Sequence, residues 1–359
     1  MKRIFITDCE GPVSKNDNAF ELAEKLVPEG AKLFALISKY DDIQSELVKR
    51  PGYRAGDTLK LILPFLKAYG ATNELLRMLS VEDIRLVPGA KETLALVGQL
   101  MDMFMVSTSY EQYIQALCEL IGFPVDNAYC TKLDLDRFKV PDEETRKLRM
   151  WTSELVKMPV PTIPAGSRSI GDLAEIDQET VKYLDNLFWS EIQKMQAGII
   201  IEEVRPIGGD EKVQAVKEII KRNAASIYQV IYVGDSITDS APLKYIRENN
   251  GLAVSFNGNE YAIKEAELAV ISGNALATYI LAAAFDKDEK NSVKELVANW
   301  GYGKIEEIVG QQLRLTVEEV YKNKLPIVEV ITDDNRARLI DMSCSFRKEV
   351  RGEAVGSLG

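Results

Sequence analysis

The chain has 359 residues, 46% apolar and 28% charged, which suits a globular protein of one or two compact units. A net charge of −11 argues against nucleic acid or an anionic membrane as a bulk partner, because an acidic surface repels phosphate. There is no histidine, so a Ser-His-Asp triad, a His-Cys dyad and a His-ligated zinc site are excluded. Acid–base work falls to carboxylates, and any metal must take oxygen ligands, which favour magnesium or a similar hard cation.

The apolar run at residues 4–7 predicts a first strand that ends at Asp8, followed by Glu10, Gly11 and Pro12. From about Asn18 to Ser80 the apolar spacing turns helical, punctuated by Pro28-Glu29-Gly30, Pro51-Gly52 and Gly70. Pro88-Gly89 opens another helix, then MFMVS predicts a strand ending at Ser107-Thr108-Ser109, with the helix EQYIQALCELIG after it. This alternation predicts a parallel sheet with crossover helices.

The rhythm breaks from about Asp134 to Gly209. Here a proline-rich connection (Met158–Gly166) precedes an amphipathic helix, ETVKYLDNLFWSEIQKM, and GIIIEEVR reads as a strand leading out. Alternation then resumes. VQAVKEIIKRN is a helix, YQVIYVGD a strand, SAPLKYIRENN a helix, LAVSFN a strand, EYAIKEAE a helix and LAVIS a short edge strand. Beyond about Asp286 lies a C-terminal extension of mixed helical segments, whose final stretch, Arg347–Gly359, has the composition of a loose tail.

The expected organisation is therefore an α/β core from residues 1–16, 86–133 and 210–285, a helical cap from 17–85, a second insertion from 134–209 and the extension from 286–359. No stretch approaches the roughly 18 uninterrupted apolar residues of a membrane helix. With the first strand beginning almost at once and four cysteines (Cys9, Cys118, Cys130, Cys344) lacking close pairing, the expectation is a cytoplasmic protein with reduced core thiols.

Chemistry concentrates at the strand ends. In an open parallel sheet these converge on one crevice, so carboxylates distant in sequence meet there. Asp8 suits attack on phosphorus to form an aspartyl-phosphate, and Glu10 suits protonating the leaving oxygen and then activating water. Asp235 and Asp239 in GDSITD, four apart beyond a core strand, suit holding magnesium; alone they equally describe a capped helix start. Ser107 and Thr108, at a strand end before a helix, suit a phosphate cradle or a plain N-cap. Lys212, at the mouth of the helix before GDSITD, suits charge compensation, with Lys217 a less well placed competitor a turn or more inside. Tyr40, Asp41, Asp42 and Arg54 in the cap are weaker candidates for lining a substrate pocket, and the three tryptophans (Trp151, Trp189, Trp300) read as packing residues.

In order and context, Asp8-Cys9-Glu10-Gly11, Ser107-Thr108, Lys212 and GDSITD resemble the four motifs of the haloacid dehalogenase superfamily, over about residues 1–275. The insertion after the first strand looks like that family's C1 cap. DCEG, STSYEQ and IGFP are similar to the phosphoserine phosphatase and phosphoserine–homoserine phosphotransferase subgroup. The whole also resembles archaeal sequences named for subunit R of an energy-converting hydrogenase A, a label that states no chemistry.

The resemblance implies a Rossmann-like core, Mg²⁺ and an aspartyl-phosphate mechanism. Asp8 would be the nucleophile and a metal ligand, and Glu10 the general acid/base, its main-chain carbonyl also reaching the metal. Ser107, Thr108 and Lys212 would bind the phosphoryl group. Asp235 would ligate the metal, and Asp239 would do so through water or by orienting a ligand. Departures are Glu10 where most members have Asp, Pro12 where Thr or Val is usual, and no clean counterpart to the arginine that grips a substrate carboxylate. Arg54, in YRAGDTLK, is the nearest candidate.

The expectation is a magnesium-dependent phosphatase acting on a small phosphorylated metabolite. The alternatives are a phosphotransferase to a hydroxyl acceptor and a non-catalytic subunit of a larger complex. The extension is the expected surface for a homo-oligomer or such a complex.

Overall fold

The computed structural model describes residues 3–164, 166–322 and 324–358. Among them seven strands form one sheet: β1 (Ile4–Thr7), β2 (Asp102–Tyr110), β3 (Ala128–Thr131), β4 (Val230–Gly234), β5 (Leu252–Phe256), β6 (Leu268–Ile271) and β7 (Ile327–Val330). Their order is β3-β2-β1-β4-β5-β6-β7, parallel throughout except for the β6–β7 pair. This is an α/β fold, as the alternation of elements predicts.

The strand sequences are almost uniformly apolar because both faces of the sheet are covered. Phe5, Met105, Ile231 and Val254 point into one core with the helices Ala90–Leu100, Glu111–Ile121 and Leu276–Ala298. Ile4, Ile6, Val106, Tyr232 and Ala253 point the other way, against the helices Asp210–Arg222 and Ser240–Glu248.

The chain leaves β1 towards β2 and β3 on one side, then returns to lay β4 on the other. The direction of winding therefore reverses between β1 and β4. Crossover connections leave a crevice at the carboxyl ends there, where Asp8 and Asp235 emerge.

A third core lies above that crevice. The helices of the first insertion (Asn18–Leu26, Gly30–Ile43, Thr58–Ala68, Asn73–Glu82) share it with those of the second (Asp142–Leu155, Glu175–Asn186, Gly198–Glu203). Phe188 stacks on Tyr40 at 5.7 Å between ring centroids and meets Phe65 edge-on at 6.3 Å. The two insertions thus make one helical layer.

Three local expectations are corrected. GIIIEEVR contains the helix Gly198–Glu203, not a strand. Its β-branched run favours a strand locally, but burial of Ile200, Ile201 and Val204 in the cap core overrides that propensity. LAVIS forms β6 as expected, yet it is not the edge, because the extension returns to add β7 antiparallel to it. The final stretch is not a loose tail. Arg347 and Arg351 lie at the end of the helix Arg336–Arg351, 3% and 9% exposed, and Val355 packs into the cap core.

Candidate active site

Asp8 follows β1, and its amide donates to the Val233 carbonyl of β4 at 2.8 Å. Gly11 then turns the chain with φ +92°, a left-handed conformation that L side chains rarely adopt. A Cβ on Gly11 would lie 2.1 Å from Asp235 Oδ2, so the β1 and β4 loops approach only because this position has no side chain.

One carboxylate oxygen from each of Asp8, Asp235 and Asp239 lies within 4.8 Å of the other two, and all three residues are buried. Lys212, fully buried, puts its Nζ 2.8 Å from both Asp8 Oδ2 and Asp239 Oδ1. The rival Lys217 instead lies over the Tyr245 ring, 5.1 Å from its centroid.

Asp239 is saturated. Oδ1 accepts from Lys212 and the Tyr232 hydroxyl, while Oδ2 accepts from the amides of Asp235 and Ser236 and the Ser236 hydroxyl. A carboxylate offers about four lone-pair sites. Asp239 is therefore built to hold Lys212 and the loop, which fits a role towards a metal through water better than direct ligation.

Glu10 is held by two hydroxyls, Ser107 Oγ at 2.9 Å and Ser109 Oγ. Ser107, expected at a strand end, lies inside β2, which runs on to Tyr110; its hydroxyl is engaged with the expected acid/base, and Ser109, which sequence reasoning did not single out, joins it. Thr108 lines the same cavity, and its Oγ1 is buried without a partner.

Burial and the facing Asp239 push the Asp8 carboxyl well above its ordinary value, against the opposing pull of Lys212. Burial raises Glu10 as well, partly offset by Ser109 and Ser107. Burial also acts on Asp239, but the Lys212 charge and the hydrogen bonds outweigh it and hold that carboxyl below its usual value. Hard oxygen donors of this kind fit a divalent cation such as Mg²⁺.

The cavity, about 90 Å³, is floored by Asp8, Glu10 and Asp235 and roofed by cap residues including Phe34, Asp41, Gly56 and Leu59. Asp41 accepts from the Gly56 amide at 2.8 Å, and its Oδ1 has no partner. Of the other cap candidates, Asp42 lines the cavity while paired with Lys39, and the Tyr40 hydroxyl is bound to Asp185. Arg54 is not among the cavity's residues. It is paired with Glu211 and lines a neighbouring opening, because the chain turns at Gly56 and sends only the segment after it inward.

Two more residues escaped the sequence reading. Arg347 and Arg351 line the cavity from the C-terminal helix, and both direct Nη1 to Asp235 Oδ2, Arg351 at 3.0 Å. Arg351 also donates to the carbonyls of Lys15 and Asn16. Their four-residue spacing, continued back to the buried Ser343, marks one helix face. Nothing in the spacing says what that face meets.

Fold and site together define a three-layer α/β protein whose acidic crevice, at a reversal of strand order, is closed by a helical cap. No family model and no curated protein matches the chain. Among solved structures it is similar over its whole length to gene product AF1437 from Archaeoglobus fulgidus, at 27% identity and TM-score 0.82, covering 99% of that chain. Phosphoserine phosphatase in its apo form aligns with 76% of this chain and 96% of its own, at 13% identity and TM-score 0.43. A phospho-aspartyl intermediate analogue of phosphoserine phosphatase aligns with 75% of this chain and 92% of its own, at 13% identity and TM-score 0.44.

Proposed function

We propose that the protein is a magnesium-dependent phosphatase of the haloacid dehalogenase type, acting on a small phosphorylated metabolite through an aspartyl-phosphate on Asp8. The observation that carries this reading is the buried lysine joining Asp8 to Asp239, with an oxygen of each close to one of Asp235. Buried carboxylates gathered at the ends of two parallel strands, with Lys212 spanning two of them, are an arrangement that can hold a hard cation beside an attacking oxygen.

In the proposed reaction an Asp8 oxygen attacks phosphorus, the bond to the ester oxygen breaks, and Glu10 delivers a proton to the leaving oxygen. The raised position of Glu10, set by burial, suits an acid that must hold its proton until that moment. Glu10 then takes a proton from a water that attacks phosphorus, which releases inorganic phosphate and restores Asp8. Lys212 holds Asp8 in place and offsets charge on the phosphoryl oxygens, while Ser107 and Ser109 orient Glu10. Asp8, Asp235 and, through water, Asp239 would hold Mg²⁺, which supplies positive charge against the carboxylates and the incoming phosphate.

The DCEG, STSYEQ and IGFP segments support a place beside the phosphoserine phosphatases within that type. Among the described residues no helix is long and apolar enough to cross a membrane. The test is hydrolysis of a panel of phosphate monoesters with Mg²⁺, with and without hydroxyl acceptors. Asp8→Asn is expected to abolish turnover, and an active Asp8→Asn chain would place the nucleophile elsewhere. Phosphate passing to an acceptor in place of water identifies a phosphotransferase. A chain that binds Mg²⁺ yet turns over no ester is the non-catalytic subunit.

A further inference from the structure

The C-terminal helix meets the site through a guanidinium that is only partly used. Both hydrogen bonds made by Arg347 leave from Nη1, to the backbone carbonyl (3.2 Å) and the carboxylate Oδ2 of Asp235. Its Nε is buried and has no partner. A charged side chain that is 3% exposed with an unspent donor is unusual, since buried donors are nearly always satisfied.

Arg347 is also firmly placed. One turn back on the helix, Ser343 donates to the Gly258 carbonyl at 2.7 Å, and one turn forward Arg351 is tied to Lys15 and Asn16. Two arginines sharing Asp235 Oδ2 are more than one carboxylate oxygen needs. Arg351, with its extra carbonyl partners, accounts for fastening the helix to the β1 loop. Both contacts of Arg347 go to Asp235 alone, and none reaches the β1 loop. Across the cavity Thr108 Oγ1 is likewise buried without a partner. A space of about 90 Å³ is well above what one water needs and has room for a small oxyanion.

We propose that Arg347, carried by the C-terminal helix, is a ligand for an oxyanion in this cavity, namely the phosphoryl group of the substrate. The C-terminal extension is then one wall of the catalytic site. A planar guanidinium matches paired phosphate oxygens, and one pinned by Asp235 loses little freedom on binding. This rests on the phosphatase reading for the identity of the oxyanion, but the binding itself is measurable without turnover.

The experiment is calorimetric titration of the full chain with inorganic phosphate at saturating Mg²⁺, for the unaltered protein and for Arg347→Met and Arg347→Lys. Loss of a charge-assisted contact is expected to weaken phosphate roughly 10- to 100-fold in Arg347→Met, with partial recovery in Arg347→Lys. Unchanged phosphate affinity in folded Arg347→Met overturns the proposal. So does a change confined to Mg²⁺ affinity, which would make Arg347 only a positioning residue for Asp235. If Arg347→Met does not fold, a crystal of the unaltered chain grown with inorganic phosphate decides between an oxyanion within hydrogen-bond reach of Arg347 and one held without it. Phosphate binding that depends on Arg347 in a chain without esterase activity would sink the phosphatase reading and leave this one standing.

Discussion

Lys212→Met removes a positive charge that touches both Asp8 and Asp239, while nearly preserving side-chain volume. Lys212 is fully buried, and its two ion pairs measure 2.8 Å each. Removing one partner of a buried ion pair leaves an uncompensated charge and costs about 3–5 kcal/mol. Against a typical total stability of about 5–15 kcal/mol this is a large fraction. At roughly 2–4 °C per kcal/mol for larger domains, the expected fall in melting temperature is roughly 6–20 °C. Thermal unfolding followed by circular dichroism in a chelating buffer is the assay. Adding Mg²⁺ should recover part of the loss, because a cation among the same carboxylates replaces some of the missing charge. A melting temperature within about 2 °C of the unaltered chain, in chelator at neutral pH, would refute the view that Lys212 is the counterion of Asp8 and Asp239.

Two further expectations concern the roof and floor of the cavity. Burial, with Asp57 nearby, pushes the Asp41 carboxyl up to about 8 from an ordinary 3.8. The folded chain then keeps a proton that the unfolded chain has released, so this contribution to stability is present at low pH and lost as pH rises through that window. Asp41→Asn has no such proton to lose, and its melting temperature should gain on that of the unaltered chain between pH 5 and pH 8; parallel pH profiles would contradict this. Gly11→Ala places a methyl against Asp235 and forces a non-glycine residue to φ +92°. It should lower stability by at least about 1 kcal/mol and weaken Mg²⁺ binding, and calorimetry showing neither would mean the loop relaxes freely.

Much of the site was legible because its signals are local. A strand ending in Asp8, another ending in Gly234-Asp235, and a lysine at the mouth of the intervening helix can each be read from short windows. The general rule that parallel strands end in one crevice then brings them together. Ser107 was legible as a hydroxyl on the second strand, but that strand runs on to Tyr110, and the engagement of Ser107 with Glu10 depends on β1 and β2 lying side by side. Arg54 shows the converse: the structure sets it in the neighbouring opening and not in the central cavity. Proximity in sequence to the cap's inward turn says little about orientation, and a partner on another element, Glu211, holds it outside.

The sequence by itself determined the chemical groups on offer: no histidine, carboxylates at the ends of two strands, Asp8 and Glu10 two residues apart, and an α/β sheet to carry them. Only the tertiary structure decided how the ends of the chain are used. That the insertions merge into one cap, that the extension adds β7, and that Arg347 and Arg351 come home to Asp235 are long-range facts. Helical periodicity shows that two arginines share a face; which surface that face covers is settled by burial across more than a hundred residues of chain, and no local pattern encodes it.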